Sequence, residues 1–266
     1  MDALLVWIVG ASAFSGALGV LGAATFLLLP QGLRARMLAP LVSFAVGTLL
    51  GAAFLALLPE ALAALGLQAV HTLTLTVLAG ILAFFLLEKM VLWRHCHIEE
   101  CEVHGGHVHP DAVERAQRRA AGNLIVIGDG IHNLVDGVLI AAAFLTDVEL
   151  GIVTSVAVIA HEIPQEVGDF AILLNSGYSR ARALAYNVAA SLTTVVGGVA
   201  AYFSLGLVIA AVPYVLAIAA SSFIYIAVAD LIPGLHKRPE FRATVQQISL
   251  IALGVAVIYS AQTAMH

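Results

Sequence analysis

Ile131-His132-Asn133-Leu134-Val135-Asp136-Gly137 and Ala160-His161-Glu162-Ile163-Pro164-Gln165-Glu166-Val167-Gly168-Asp169 are short polar runs set inside apolar segments. Each lies near the middle of a stretch long enough to cross a bilayer, which takes about 20 residues as a helix. Imidazoles and carboxylates are costly at that depth, so their presence there points to function. The rest of the chain reads as the means of holding the two runs against each other.

The composition agrees. Of 266 residues, 61% are hydrophobic and 11% charged, where a soluble domain carries about 25% charged residues. Repeated apolar runs of about 20 residues favour helices over the short alternating strands of a barrel. The expected fold is therefore an all-α integral membrane protein, one domain over residues 1–266. Eight transmembrane helices are expected, near 3–29, 39–65, 70–93, 121–146, 150–176, 181–205, 208–233 and 244–264. The first is too long for a signal-peptide core and lacks a basic flank, so no cleaved leader is expected. Span 2 carries Gly47 and Gly51 four residues apart, a bare face for a neighbouring helix, and ends near Pro59 and Glu60.

All 12 basic residues are read as falling between spans, and only in alternate connections. Arg34 and Arg36 follow span 1. Lys89, Arg94, Arg115, Arg118 and Arg119 belong to the connection after span 3. Arg180 and Arg182 follow span 5, and Lys237, Arg238 and Arg242 follow span 7. The positive-inside rule then places both termini outside, at the plasma membrane or a bacterial inner membrane. The outer connections carry Glu60, Asp147 and Glu149, read either as solvated residues or as a negative mouth that concentrates cations. The stretch 94–120 is expected as a cytosolic His-rich loop, with His95, Cys96, His97, Cys101, His104, His107 and His109 among several glutamates. These ligand types suit zinc and its neighbours, although the spacing matches no compact zinc fold. The two cysteines share one loop and suggest no disulfide framework.

On a helix, His132 and Asp136 share a face, with Asn133 at its border. In span 5 the rows His161/Gln165 and Glu162/Glu166 lie side by side. A short connection makes spans 4 and 5 antiparallel neighbours, so the two runs meet at one depth. Asp129, Asp136, Glu162, Glu166, Asp169 and Asp230 all fall within expected spans, and none has a basic partner there. A buried carboxylate needs a base, a proton or a cation. For the acids grouped with two histidines the reading is a divalent cation, with nitrogen and oxygen ligands favouring zinc or another first-row ion. Pro164 is expected to kink its helix and free the Ala160 carbonyl, as in the broken helices of transporters. Gly137 and Gly168 either make room beside the site or serve helix packing.

Four stretches together resemble the ZIP family of divalent metal transporters. They are Gly-Ala-Ala-Phe-Leu-Ala-Leu-Leu-Pro-Glu ending at Glu60, Gly128 to Gly137, His161 to Asp169, and Phe223 to His236. The pairing of H-N-x-x-D-G with H-E-x-P-x-E-x-G-D is the specific part, similar to the subfamily whose fifth span reads H-E-x-P-H-E-x-G-D. The resemblance implies that His132, Asn133, Asp136, His161, Glu162, Gln165 and Glu166 occupy metal-site positions. It also implies that spans 1, 4, 5 and 6 form a transport bundle moving against a scaffold of spans 2, 3, 7 and 8, in a homodimer. The chain departs from the pattern at Gln165, at Ala56 and Gly234, and in span 6, which offers Asn187 and Ser191 but no acid.

The expected function is uptake of Zn2+, with Fe2+, Mn2+ or Cd2+ as further substrates, into the cytosol. The partners are the ion, the lipid bilayer and a second copy of the chain; no nucleic-acid partner and no catalytic residues are expected. The alternative is an intramembrane zinc metallohydrolase using His161-Glu162, although H-E-x-x-Q lacks the second histidine of that motif. An exporter is a third reading.

Overall fold

The structure is a computed structural model that describes residues 2–99, 110–236 and 240–265. Among them there are no strands and ten α-helices. These are α1 (Ala3–Leu28), α2 (Gln31–Gly51), α3 (Leu58–Leu65), α4 (Val70–Glu99) and α5 (Pro110–Thr146). They continue with α6 (Val148–Asn175), α7 (Arg180–Leu207), α8 (Val212–Tyr225), α9 (Ile232–Leu235) and α10 (Phe241–Met265). Short polar residues set the helix starts: Asp2, Asp147 and Ser179 each accept a backbone N–H of the helix that follows. Gly66 and Gly177, at φ 79° and 87°, make the turns into α4 and α7.

Two wide π turns, Ala52–Leu57 and Ile226–Leu231, join α2 to α3 and α8 to α9. In both, one residue separates the turn from a proline, Pro59 or Pro233. Proline cannot donate to the carbonyl four residues back, so the preceding turn loosens and widens. Pro59 therefore does not end its span, because the helix resumes and runs on to Leu65.

Among the described residues, seven helical segments are long and apolar enough to cross a membrane. The expected span absent from that set is α6. Its 28 residues extend about 42 Å at 1.5 Å per residue, enough for a bilayer. His161, Glu162, Gln165, Glu166 and Asp169 lower its hydropathy, and it packs inside the molecule against α1, α2 and α5. α6 is also continuous through Pro164. The apolar part of α4 ends at Leu87. Lys89 lies beyond that point while still helical, and not in a connecting loop. The expected loop 94–120 is helical at both margins. α4 includes His95, Cys96 and His97, and α5 begins at Pro110. The Ala- and Arg-rich residues 111–121 favour helix, and proline suits its first position. Cys101, His104, His107 and His109 lie outside the described residues.

The helices pack in two groups. α1, α5, α6 and α7 contact one another; α2 packs on α10 and α8, and α4 packs on α8. Bare glycines bring the backbones together within each group. A Cβ on Gly137 (α5) would strike the Thr194 carbonyl of α7, and one on Gly197 (α7) would strike the Leu134 carbonyl of α5. In the other group, Gly47 faces the Ile251 carbonyl of α10 and Gly254 faces Phe44 of α2. Gly137 is thus a packing residue, whereas Gly168 has nothing within 4 Å of where its Cβ would stand.

Gly137→Val should destabilise the protein by about 1–3 kcal/mol, the usual cost of overpacking a close contact. Gly168→Ala should leave stability unchanged, and thermal melting in detergent compares the two.

Candidate metal centre

Only Asp147 separates α5 from α6, so the two helices run antiparallel from one sharp turn. Counting back along α5 and forward along α6 at 1.5 Å per residue, the histidines and first acids all lie about 17–23 Å from that turn. The register alone brings His132, Asp136, His161 and Glu162 to one depth. The structure places one ligand atom from each of the four within 4.8 Å of all the others.

The separations are specific. The two histidine Nε2 atoms lie 3.2 Å apart with their rings nearly perpendicular, at 89°. An Asp136 oxygen is 3.5 Å from His132 Nε2 and 3.2 Å from His161 Nε2. A Glu162 oxygen is 3.7 and 3.8 Å from the same two nitrogens. Ligands about 2.0–2.1 Å from a tetrahedral zinc stand about 3.3 Å from one another. The cluster matches that spacing closely. Calcium, with six to eight oxygens at about 2.3–2.6 Å, needs a larger and all-oxygen cage.

The surroundings point the ligands inward. His161 Nδ1 is 3.1 Å from the Ala157 carbonyl oxygen. A carbonyl only accepts, so Nδ1 carries the proton and Nε2 presents a lone pair to the cluster. The His161 ring packs edge-on against Phe223 of α8, with centroids 6.0 Å apart. Both oxygens of Asp136 and both of Glu162 are buried without a hydrogen-bond donor. Among the described residues no lysine or arginine pairs with them. Four buried acceptor atoms without donors are a large desolvation cost, and a cation at the centre removes it.

The other three residues that the resemblance placed at the metal stand to one side. Asn133 donates to Asp129 Oδ1 at 2.9 Å and accepts from Thr194 Oγ at 2.8 Å, so both ends of its amide are engaged. Gln165 hydrogen-bonds to Asp129 as well. Glu166 accepts from Ser191 Oγ at 3.0 Å, and Asn187 donates to its backbone carbonyl at 3.4 Å. The supporting residues not singled out by the sequence reading are Thr194, Phe223 and Gly19. Asn187, Ser191 and Thr194 repeat at helical spacing on α7, so a polar stripe was there to be read. Gly19 belongs to a run of small residues on α1, and a Cβ on it would stand 3.3 Å from Glu162 Cβ and 3.5 Å from Glu166 Cγ.

Toward the Asp147 turn the site is sealed by buried apolar side chains, among them Leu139, Ile140, Val153 and Val158. Away from the turn the neighbouring residues are more exposed. His132 retains 21% side-chain exposure, Gln165 and Asp169 are partly exposed, and Gly168 is exposed.

Comparison with known proteins gives a consistent assignment. The family model described as ZIP Zinc transporter matches residues 3–262. The zinc transporter ZIP13 of Pongo abelii is 32% identical over 194 residues, covering 72% of this chain and 54% of that protein. The zinc transporter ZIP4 of Mus musculus is 40% identical over 121 residues, 46% of this chain and 18% of that protein. The zinc transporter zipt-7.2 of Caenorhabditis elegans is 39% identical over 140 residues, 51% of this chain and 30% of that protein. The matches thus span about half or less of those relatives' lengths. The chain belongs to the ZIP family.

Removing one ligand should weaken Zn2+ binding to the purified protein. Asp136→Ala or His161→Ala should cost more than the roughly 10–100-fold typical of outer-shell changes. Asn133→Ala should cost less than that, because its amide bonds to Asp129 and Thr194 and to none of the four. Isothermal titration with Zn2+ measures the difference.

Proposed function

We propose that this ZIP-family chain carries Zn2+ across a membrane into the cytosol, with Fe2+, Mn2+ or Cd2+ as further substrates. The observation that carries the reading is the quartet His132, Asp136, His161 and Glu162, buried at zinc spacing with its acids unneutralised. In this reading α6 is the eighth crossing, both termini lie outside, and the open side of the site faces the cytosol. An ion arriving from outside meets the quartet, which replaces its hydration shell with two imidazoles and two carboxylates. Movement of α1, α5, α6 and α7 against α2, α4, α8 and α10 then exposes it to the other side in turn. An inside-negative potential favours inward movement by about 2.3 kcal/mol per charge per 100 mV. A homodimer, and capture of metal by the His-rich stretch between α4 and α5, complete the proposal.

The metallohydrolase alternative is not favoured. A zinc-bound water needs an open coordination position and a base beside it. Here Glu162 stands at ligand distance from both histidines, leaving no separate base in the quartet. The relatives named above are transporters as well.

Reconstituted vesicles loaded with a zinc-sensitive dye test the reading. Alanine at His132, Asp136, His161 or Glu162 should abolish uptake while the protein still elutes as a folded species. Near-normal flux in these four variants would refute it, and export in place of uptake would reverse the assigned direction.

A further inference from the structure

The contacts described above on the quartet come mostly from one group of helices. His132 and Asp136 stand on α5, His161 and Glu162 on α6, and Gly19 of α1 lies beside Glu162. Phe223 differs. It belongs to α8, in the second group, and its ring centroid lies 6.0 Å from that of His161 at an interplanar angle of 61°. Both residues are buried. The geometry is that of an attractive, tilted edge-to-face aromatic pair.

The local sequence of α8 presents this one ring to α6. Ser221 and Tyr225 are four residues apart and share a face, which packs on α4. A Cβ on Gly80 of α4 would strike the Ser221 side chain, and Phe84 of α4 stacks on Tyr225 with centroids 6.5 Å apart. Phe223 is two residues from each, about 200° round the helix at 3.6 residues per turn. It therefore projects from the opposite face. One turn away on either side of it stand Ala219 and Ala227, both fully buried. Ala157, one turn before His161 on α6, is fully buried as well. A single large ring thus stands out from a line of methyl groups, and what it meets is a member of the quartet.

His161 needs more than one constraint. Its Nδ1–H donates to the Ala157 carbonyl at 3.1 Å, which fixes the tautomer. One hydrogen bond is a pivot, about which the ring can still tilt and carry Nε2 away from the other three ligands. Phe223 blocks that tilt from the α8 side. The two constraints differ in origin, because Ala157 travels with α6 whereas Phe223 stays with α8.

We propose that Phe223 is a positioning residue that braces the His161 imidazole in its ligand pose, and that movement of α6 past α8 removes the brace and loosens the quartet's hold on the ion. The inference rests on the transport reading given above. A transporter binds and releases its ion with the same ligands, so release needs a lower affinity in one arrangement than in the other. A ligand braced from the helix group that it moves against supplies that difference, since the contact is made in one arrangement and lost in the other.

Zn2+ titration and Co2+ absorption of the full chain in nanodiscs, together with vesicle uptake, test the brace. Phe223→Leu should weaken Zn2+ binding about tenfold, the lower end of what supporting groups contribute at metal sites. The visible bands of Co2+ bound in place of Zn2+ report ligand geometry and should change in the same variant. Uptake should show KM raised about tenfold with the maximum rate kept, because release no longer waits on the ring contact. Phe223→Tyr keeps the ring and should restore affinity, bands and KM. Leu216→Val, on the same helix and fully buried, should lower the melting temperature and change none of the three. If Phe223→Leu fails to fold, Phe223→Met keeps much of the volume without a ring and is read in the same way. Wild-type affinity and bands in the folded Leu or Met variant overturn the brace and leave the transport reading standing. A maximum rate that falls with KM unchanged overturns it too. Lost affinity and altered bands in Phe223→Leu, in a protein whose wild type moves no Zn2+ into vesicles, support the hold on His161 and overturn the transport reading together with the release step.

Discussion

Two carboxylates, those of Asp136 and Glu162, stand fully buried with none of their four oxygens receiving a hydrogen bond. Among the described residues no lysine or arginine pairs with them. Such an arrangement calls for a proton or a cation, and two imidazoles within 3.2–3.8 Å suit a transition-metal ion. The rest of the molecule follows from holding these four side chains at ligand spacing. The one-residue turn at Asp147 fixes the register of α5 against α6. The Ala157 carbonyl selects the tautomer of His161, and Phe223 limits where its ring can lie.

Packing divides the labour between two groups of helices. Where α5 meets α7, glycines let backbone touch backbone at Gly137 and Gly197. That contact leaves no room for a side chain between the two helices. One buried apolar cluster joins the first group to the second, with Ala52, Ala53, Ala56, Ala217 and Ala220 beside larger side chains such as Leu57, Leu139, Phe144, Leu216 and Phe223. The two π turns lie in the helices of this second group, at the positions where prolines had already loosened the hydrogen-bond ladder.

The environment sorts the seven polar residues into separate tasks. His132, Asp136, His161 and Glu162 converge, while Asn133 and Gln165 turn to Asp129 and Glu166 turns to Ser191 of α7. Residues adjacent in the motif thus make different contacts. The chain's departures from the pattern of its family fit this division. Asn187 and Ser191 of α7 donate to Glu166 in the place where an acid would have competed with it.

The sequence by itself determined the helical class, the positions of most spans and the pairing of the two motifs. Apolar length, the placement of arginines and 3.6-residue periodicity are local properties, and they survive being read one segment at a time. It also set acids and imidazoles together in the two motifs with no lysine or arginine inside either motif, since that is a matter of counting. The tertiary structure alone decided which four of the candidates share a point, because His132 and Asn133 differ by only 100° on a helix and either could face α6. It also decided that Gly137 serves packing, that α6 stays helical through Pro164, and that Pro59 widens a helix without ending it. Those outcomes depend on what lies across the interface: the Thr194 carbonyl, the hydroxyls of α7 and the rings of α8. No single segment records its neighbours' identity, and the burial of a side chain is set by them.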